Sequence, residues 1–190
     1  MLFGGYFFSK SCKVCIDKHL PIKFVCFKEL LKLNHMAFFQ FHSEQKIRTT
    51  LEDIWDFISS PKNLKEITPK YMGFDIMKTY QTSEKMYEGM IIAYKVSPIM
   101  GIKTTWVTEI THIREKEFFI DEQRMGPYTM WHHQHIIKEI EGGVLMTDIV
   151  SYQPPLGYIG ALANKIIILP KLNEIFAYRT KALEVIFKLF

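Results

Sequence analysis

Residues 36–190 contain no cysteine; Cys12, Cys15 and Cys26 all lie ahead of them. That excludes a disulfide framework or a thiolate metal centre in this part of the chain. It also suits a reducing compartment, so a cytoplasmic location is expected. Net charge is missing as well. Residues 1–35 hold six lysines, no arginine and two acids, so the chain's 24 basic and 20 acidic residues leave 18 of each in residues 36–190. A neutral domain has no electrostatic footprint for phosphate backbones, and nucleic acid is not an expected partner. The third absence is a long hydrophobic run. No stretch reaches the roughly 20 apolar residues of a membrane span. The nearest, Tyr158 to Leu172, is interrupted by Asn164, Lys165 and Pro170.

What is present divides into two parts. Residues 1–35 are an atypical extension, read either as an over-extended gene start ahead of Met36 or as a poorly anchored appendage. Cys12, Cys15 and Cys26 with His19 or His35 can be drawn as a zinc site, but finger-type sites use compact paired ligands and the second pair here is incomplete. Residues 36–190 form the expected main domain, of a length that buries a substantial core.

Within that domain the hydrophobic periodicity sets an order of elements. Phe38 to Arg48 alternates as a first strand. Thr50 and Asp53 make a capping-box-like start for a helix whose apolar face is Leu51, Ile54, Trp55 and Ile58; Pro61 then opens a second short helix. Six strands are expected at Gly73 to Tyr80, Gly89 to Val96, Lys103 to Ile113, Phe118 to Met125, Thr129 to Ile140 and Val144 to Tyr152. The turn signals between them are Ser97-Pro98-Ile99-Met100-Gly101, Gly126-Pro127 and Gly142-Gly143. A long helix, Tyr158 to about Lys188, closes the chain, with an apolar stripe of Ile159, Leu162, Ile166, Leu169, Leu172, Phe176, Leu183 and Phe187 and a kink expected at Pro170. The fold class is therefore α+β: a seven-stranded antiparallel sheet covered by the terminal helix.

Chemistry concentrates in Gly126-Pro127-Tyr128-Thr129-Met130-Trp131-His132-His133-Gln134-His135 and the strand after it. A Gly142-Gly143 hairpin sets Ile137 opposite Asp148, His135 opposite Val150 and His133 opposite Tyr152. Trp131, His133, His135, Asp148 and Tyr152 then share the inward face, while His132, Gln134, Lys138, Thr147 and Ser151 face out. Asp148 lies diagonal to His135, about 7–8 Å away between backbones. Two readings of that pair stay open: a network that satisfies itself and orients a ligand, or an acid/base pair. The faces of Asp121 and Gln123 depend on the length of the Gly126-Pro127 loop and are not fixed. Trp106, one strand earlier, is a further candidate, while Trp55 and Phe176 read as plain core.

Gly126, His133-x-His135 and Glu139 approximate the first metal-binding motif of cupins, but the spacing is one residue too long and no second motif follows. With His132 turned out, only two histidines face inward. Neither a metal nor another cofactor is expected.

The chain resembles the START-related helix-grip superfamily, SRPBCC, and most of all its small bacterial branch grouped with polyketide cyclase/dehydrase and coenzyme-Q-binding START-like proteins. The resemblance rests on Trp106, Phe119-x-Asp121-x-Gln123, Gly126-Pro127-Tyr128, Trp131-x-His133-x-His135, Gly143, Asp148-x-Val150-x-Tyr152, Pro155-x-Gly157 and Phe176-x-Tyr178-Arg179. It covers about residues 38–190. It implies a sheet wrapped around the C-terminal helix with a hydrophobic cavity between them, and carries over no catalytic residues. The expected function is to bind or carry a small hydrophobic molecule (lipid, quinone or polyketide-like), with Trp106, Trp131, His133, His135, Asp148 and Tyr152 as the binding residues. The alternative is a cyclase- or dehydratase-type enzyme using Asp148 and His135. No integral membrane segment is expected, and transient membrane contact through the apolar Tyr158–Leu169 stretch is kept open.

Overall fold

The computed structural model describes residues 37–77, 85–97 and 101–187. The extension, with its zinc reading and the Met36 start, lies outside them. So do the last part of the Gly73–Tyr80 strand and the middle of the Ser97–Gly101 turn.

Alternating apolar and polar side chains make β1 (Phe39–Ile47), which buries Phe41 and Ile47. Helix α1 (Leu51–Ile58) follows. Its Thr50 cap accepts a bond from the Asp53 amide at 3.1 Å and donates its hydroxyl to the Asp53 carboxylate at 2.7 Å. Such a cap contributes about 1 kcal/mol. The helix buries Ile54, Trp55 and Ile58. The second short helix is a 3-10 segment, Pro61–Lys65, and another turn of that type covers Lys70–Met72.

Six strands complete the sheet: β2 (Asp75–Ile76), β3 (Ile91–Val96), β4 (Thr104–Arg114), β5 (Phe118–Met125), β6 (Met130–Ile140) and β7 (Gly143–Gln153). All neighbours are antiparallel, in the order β1-β7-β6-β5-β4-β3-β2. Two register shifts interrupt the β4–β5 ladder, between Val107 and Thr108 and between Ile110 and His112. Bulges of this kind bend a strand and increase its twist, here in the strands that carry Trp106 and Asp121.

The β6–β7 register differs from the expected one. Ile140 pairs with Gly143, so the turn is Glu141-Gly142, with Gly142 at φ 81°, and Gly143 belongs to the strand. His135 therefore sits directly opposite Asp148, His133 opposite Val150 and Trp131 opposite Tyr152. The strand has slipped by two residues relative to the Gly142-Gly143 hairpin. Because side chains alternate with a period of two, the inward face keeps the same members.

The closing helix runs from α2 (Tyr158–Ala163) through a π turn (Asn164–Ile168) into α3 (Leu169–Phe187). Pro170 has no N–H to donate, and its ring crowds the carbonyl of the preceding turn. The chain accommodates it by widening that turn, with the Leu169 amide reaching back five residues to the Asn164 carbonyl. The widening also rotates the apolar stripe. Gly160, Asn164, Ile168, Leu172 and Phe176 are buried at steps of four, followed by Arg179 and Leu183. Ile159, Leu162, Ile166 and Leu169, expected in the buried stripe, are exposed. The helix lies over the inward face of the sheet, with Phe41 and Phe176 ring centroids 4.7 Å apart.

Entry into α2 depends on close backbone approach. A Cβ on Gly160 would collide with the carbonyl oxygen of Pro155. Alanine at that position gains about 1 kcal/mol in helix propensity but meets an overpacking cost of about 1–3 kcal/mol, because backbone has to move. Gly160→Ala is therefore expected to lower the urea midpoint, by the equivalent of up to about 2 kcal/mol. An unchanged or higher midpoint would show that α2 shifts freely.

Candidate functional site

Three adjacent strands bring the chemistry together. β5 places Asp121 opposite His133, and β6 places His135 opposite Asp148 of β7. His133 Nε2 is 2.8 Å from Asp148 Oδ1, and its Nδ1 is 3.5 Å from Asp121 Oδ2. His135 Nε2 is 2.8 Å from Asp121 Oδ2, and its Nδ1 is 2.9 Å from Asp148 Oδ1. Each histidine thus bridges the two carboxylates. The imidazole rings lie against each other with centroids 3.7 Å apart, and Phe119 stacks on the outer face of His135 at 4.2 Å. From the terminal helix, Arg179 brings Nη1 to 3.5 Å from Asp148 Oδ1 while its guanidinium covers the Phe176 ring.

Burial and pairing compete at every one of these groups. Burial drives the Asp148 carboxyl upward, but bonds from His133 and His135 and their charges hold it far below the usual carboxylate range. Asp121 follows the same pattern: burial raises it, and the His135 bond with the His133, His135 and Arg179 charges brings it below its ordinary value. For His133, burial and the neighbouring His135 charge win, and its value falls. For His135, burial opposes the charged form, yet bonds to Asp121 and Asp148 raise it. These shifts favour the anionic form of both carboxylates and the cationic form of His135 over that of His133, beside one guanidinium. That balance makes the buried cluster tolerable.

A cavity of about 160 Å³ lies between the inward face, the Pro61–Lys65 region and the terminal helix. Its lining includes Trp106, Trp131, His133 and His135, together with Asp121 and Arg179. Asp148 and Tyr152 stand behind this surface. Asp148 orients both histidines, and the Tyr152 hydroxyl donates to Asn164 Oδ1 at 2.7 Å. Trp55 is core, packed edge-on to Phe119 at 6.3 Å, whereas Phe176, expected as plain core, lines the cavity. Outward-facing His132 bonds Glu122 at 2.9 Å, and Glu139 is exposed, which removes it from the cupin-like set.

Sequence reasoning left Asp121 unplaced and gave Arg179 no role. Arg179 did carry a signal, since it falls on the line Leu172, Phe176, Leu183 and is a charge inside an apolar stripe. Gln123 folds back on its own loop, donating to the Tyr128 carbonyl at 2.7 Å and accepting from the Tyr128 amide at 3.3 Å. Tyr128 is thereby set against Trp106 and Trp131. Trp106 Nε1 and Arg179 Nε and Nη1 are buried and find no hydrogen-bond partner among the described residues.

No family model and no curated protein sequence matches the chain. Solved structures match it at the level of the fold. Protein CV1439 from Chromobacterium violaceum aligns with a TM-score of 0.58 at 12% identity, over 80% of this chain and 99% of its own. The major latex-like protein 151 of Panax ginseng aligns with a TM-score of 0.57 at 11% identity, over 80% and 98%. Protein Ms6760 from Mycobacterium smegmatis aligns with a TM-score of 0.56 at 14% identity, over 77% and 89%. The chain has the helix-grip fold.

Proposed function

We propose that the chain binds or carries a small hydrophobic molecule in its internal cavity. The observation that carries this reading is an apolar pocket with one polar wall. Trp106, Trp131 and Phe176 supply contact area, and His133 and His135 stand on one side. The buried unpartnered donors of Trp106 and Arg179 favour a ligand with an acceptor group, since each unsatisfied donor costs about 1–3 kcal/mol. At about 160 Å³ the space is close to the engineered cavity of about 150 Å³ that holds benzene. It suits a single ring, such as a quinone head or one polyketide ring, better than an acyl chain. We read the chain accordingly with the polyketide cyclase/dehydrase and coenzyme-Q-binding branch of SRPBCC; action in the cytoplasm is proposed from the lack of cysteine in residues 36–190.

Among the described residues no helix is long and apolar enough to cross a membrane. Exposed Ile159, Leu162 and Ile166 on the terminal helix favour transient contact with a lipid surface during loading. The enzymatic alternative, with His135 and Asp148 as acid and base, is weakened by the geometry. Both ring nitrogens of His135 face carboxylates, so neither is free to take a proton from a molecule in the cavity.

Protein from the native host is expected to carry an apolar molecule that organic extraction and mass spectrometry recover. The emptied protein should take up tetramethyl-1,4-benzoquinone with quenching of Trp106 and Trp131 fluorescence. Absence of both signals would sink the carrier reading.

A further inference from the structure

We propose that Asp121, His133 and His135 are the ligand set of a divalent first-row transition-metal site that opens on the cavity. Their donor atoms all lie within 4.8 Å of one another. Metal bonds of about 2.0–2.2 Å place neighbouring ligand atoms about 3.0–3.5 Å apart. Asp121 Oδ2 stands 2.8 Å from His135 Nε2 and 3.5 Å from His133 Nδ1, so an ion entering between them would take the place of the proton in the His135–Asp121 hydrogen bond.

The arrangement behind these atoms is the second observation. Histidines that ligate metals use one ring nitrogen for the ion and donate the other N–H to a carboxylate, which fixes tautomer and orientation. Here one carboxylate serves both rings: Asp148 Oδ1 lies 2.8 Å from His133 Nε2 and 2.9 Å from His135 Nδ1. The two aspartates are not equivalent. Asp121 lines the cavity beside both histidines, whereas Asp148 stands behind the lining, bonded to both rings and 3.5 Å from Nη1 of Arg179, which itself borders the cavity. That separates a ligating carboxylate from an orienting one.

Two imidazoles and one carboxylate, without sulfur, select a divalent ion of the iron-to-zinc series. Three protein ligands on one side leave coordination positions open. Those positions face the apolar cavity, where a ligand's oxygen can complete the sphere. The sequence reading stopped at two inward histidines; Asp121 supplies the third ligand. The site stands on its own, whether or not the cavity carries an apolar molecule.

Cobalt(II) is the probe. The full chain, freed of metal with chelator, is expected to bind one Co(II) per chain after dialysis and to show visible d–d absorption. The Cys12→Ser/Cys15→Ser/Cys26→Ser variant and His132→Ala should retain it, which excludes the extension and the outward histidine as the source. Asp121→Ala and His135→Ala should lose it, and Asp148→Asn should weaken binding by about 10–100-fold. Should a variant fail to fold, paramagnetic shifts of the His133 and His135 ring protons in the unsubstituted chain decide instead. The proposal is overturned if no Co(II) stays with the chain, if those ring protons do not shift, or if binding survives loss of Asp121 and His135.

Discussion

Asp148→Ala is expected to cost about 3–5 kcal/mol of folding stability, because it removes the shared partner of several buried groups at once. His133 loses its acceptor, His135 loses the carboxylate at Nδ1, and Arg179 loses the anion beside Nη1. Arg179 has no other hydrogen-bond partner for Nε or Nη1 among the described residues, so its buried charge is left with only the longer-range attraction of Asp121. For a domain of this size that corresponds to a fall in Tm of roughly 10 °C or more. Asp148→Asn keeps the shape and one acceptor oxygen and should cost clearly less.

The double variant Asp148→Ala/Arg179→Met makes the argument sharper. If the penalty is mainly that of an orphaned guanidinium, removing the guanidinium returns part of the loss. The two single effects should then overshoot the double by about 1–3 kcal/mol. Urea denaturation in the presence of chelator reads this from the chain's own bonds alone. Strict additivity would mean that Arg179 and Asp148 do not share an interaction, and the cluster would have to be divided differently.

Much of this cluster can be read from residue order because sheet geometry repeats every two residues. β5 forms over the residues expected from its turn signals, and β6 differs from expectation by a single residue. The β6–β7 pairing is off by two, since glycine at both 142 and 143 allows more than one turn and the ladder settles on Glu141-Gly142. An even slip leaves His133, His135 and Asp148 on the inward face. An odd slip would have put the two histidines and Asp148 on opposite faces of the sheet.

Other features depend on geometry that residue order does not encode. Whether Asp121 faces the histidines turns on the parity of the β5–β6 connection, and Gln123 sets that loop by bonding Tyr128 at both backbone groups. The terminal helix is legible as a helix, but its face is not. A proline announces trouble at position 170 without saying that the turn before it widens, and the widening sends Ile159, Leu162 and Ile166 outward while Asn164 turns in to Tyr152. Of the expected strand at Gly73 to Tyr80, the described residues pair with β3 through Asp75 and Ile76, and the Met77 amide adds a bond to the Ala93 carbonyl at 2.9 Å.

Trp55→Ala separates the core that holds the site from the wall that lines it. Trp55 is buried on α1, its ring edge-on to Phe119, and Phe119 in turn stacks on His135 at an interplanar angle of 17°. Truncating a buried tryptophan costs transfer free energy plus an unfilled cavity, about 3–5 kcal/mol together. Trp131 is only half-buried and already borders empty space, so Trp131→Ala opens little new void and should cost about half as much. The two variants should also differ at His135. Loss of Trp55 lets Phe119 relax into the space and moves the His135 ring resonances, whereas loss of Trp131 acts on its neighbour His133 and on benzoquinone uptake. Equal stability losses from the two tryptophans would place Trp55 outside the core. An unmoved His135 after Trp55→Ala would show that the Asp121–His135–Asp148 bonds hold that ring without help from the apolar layer beneath it.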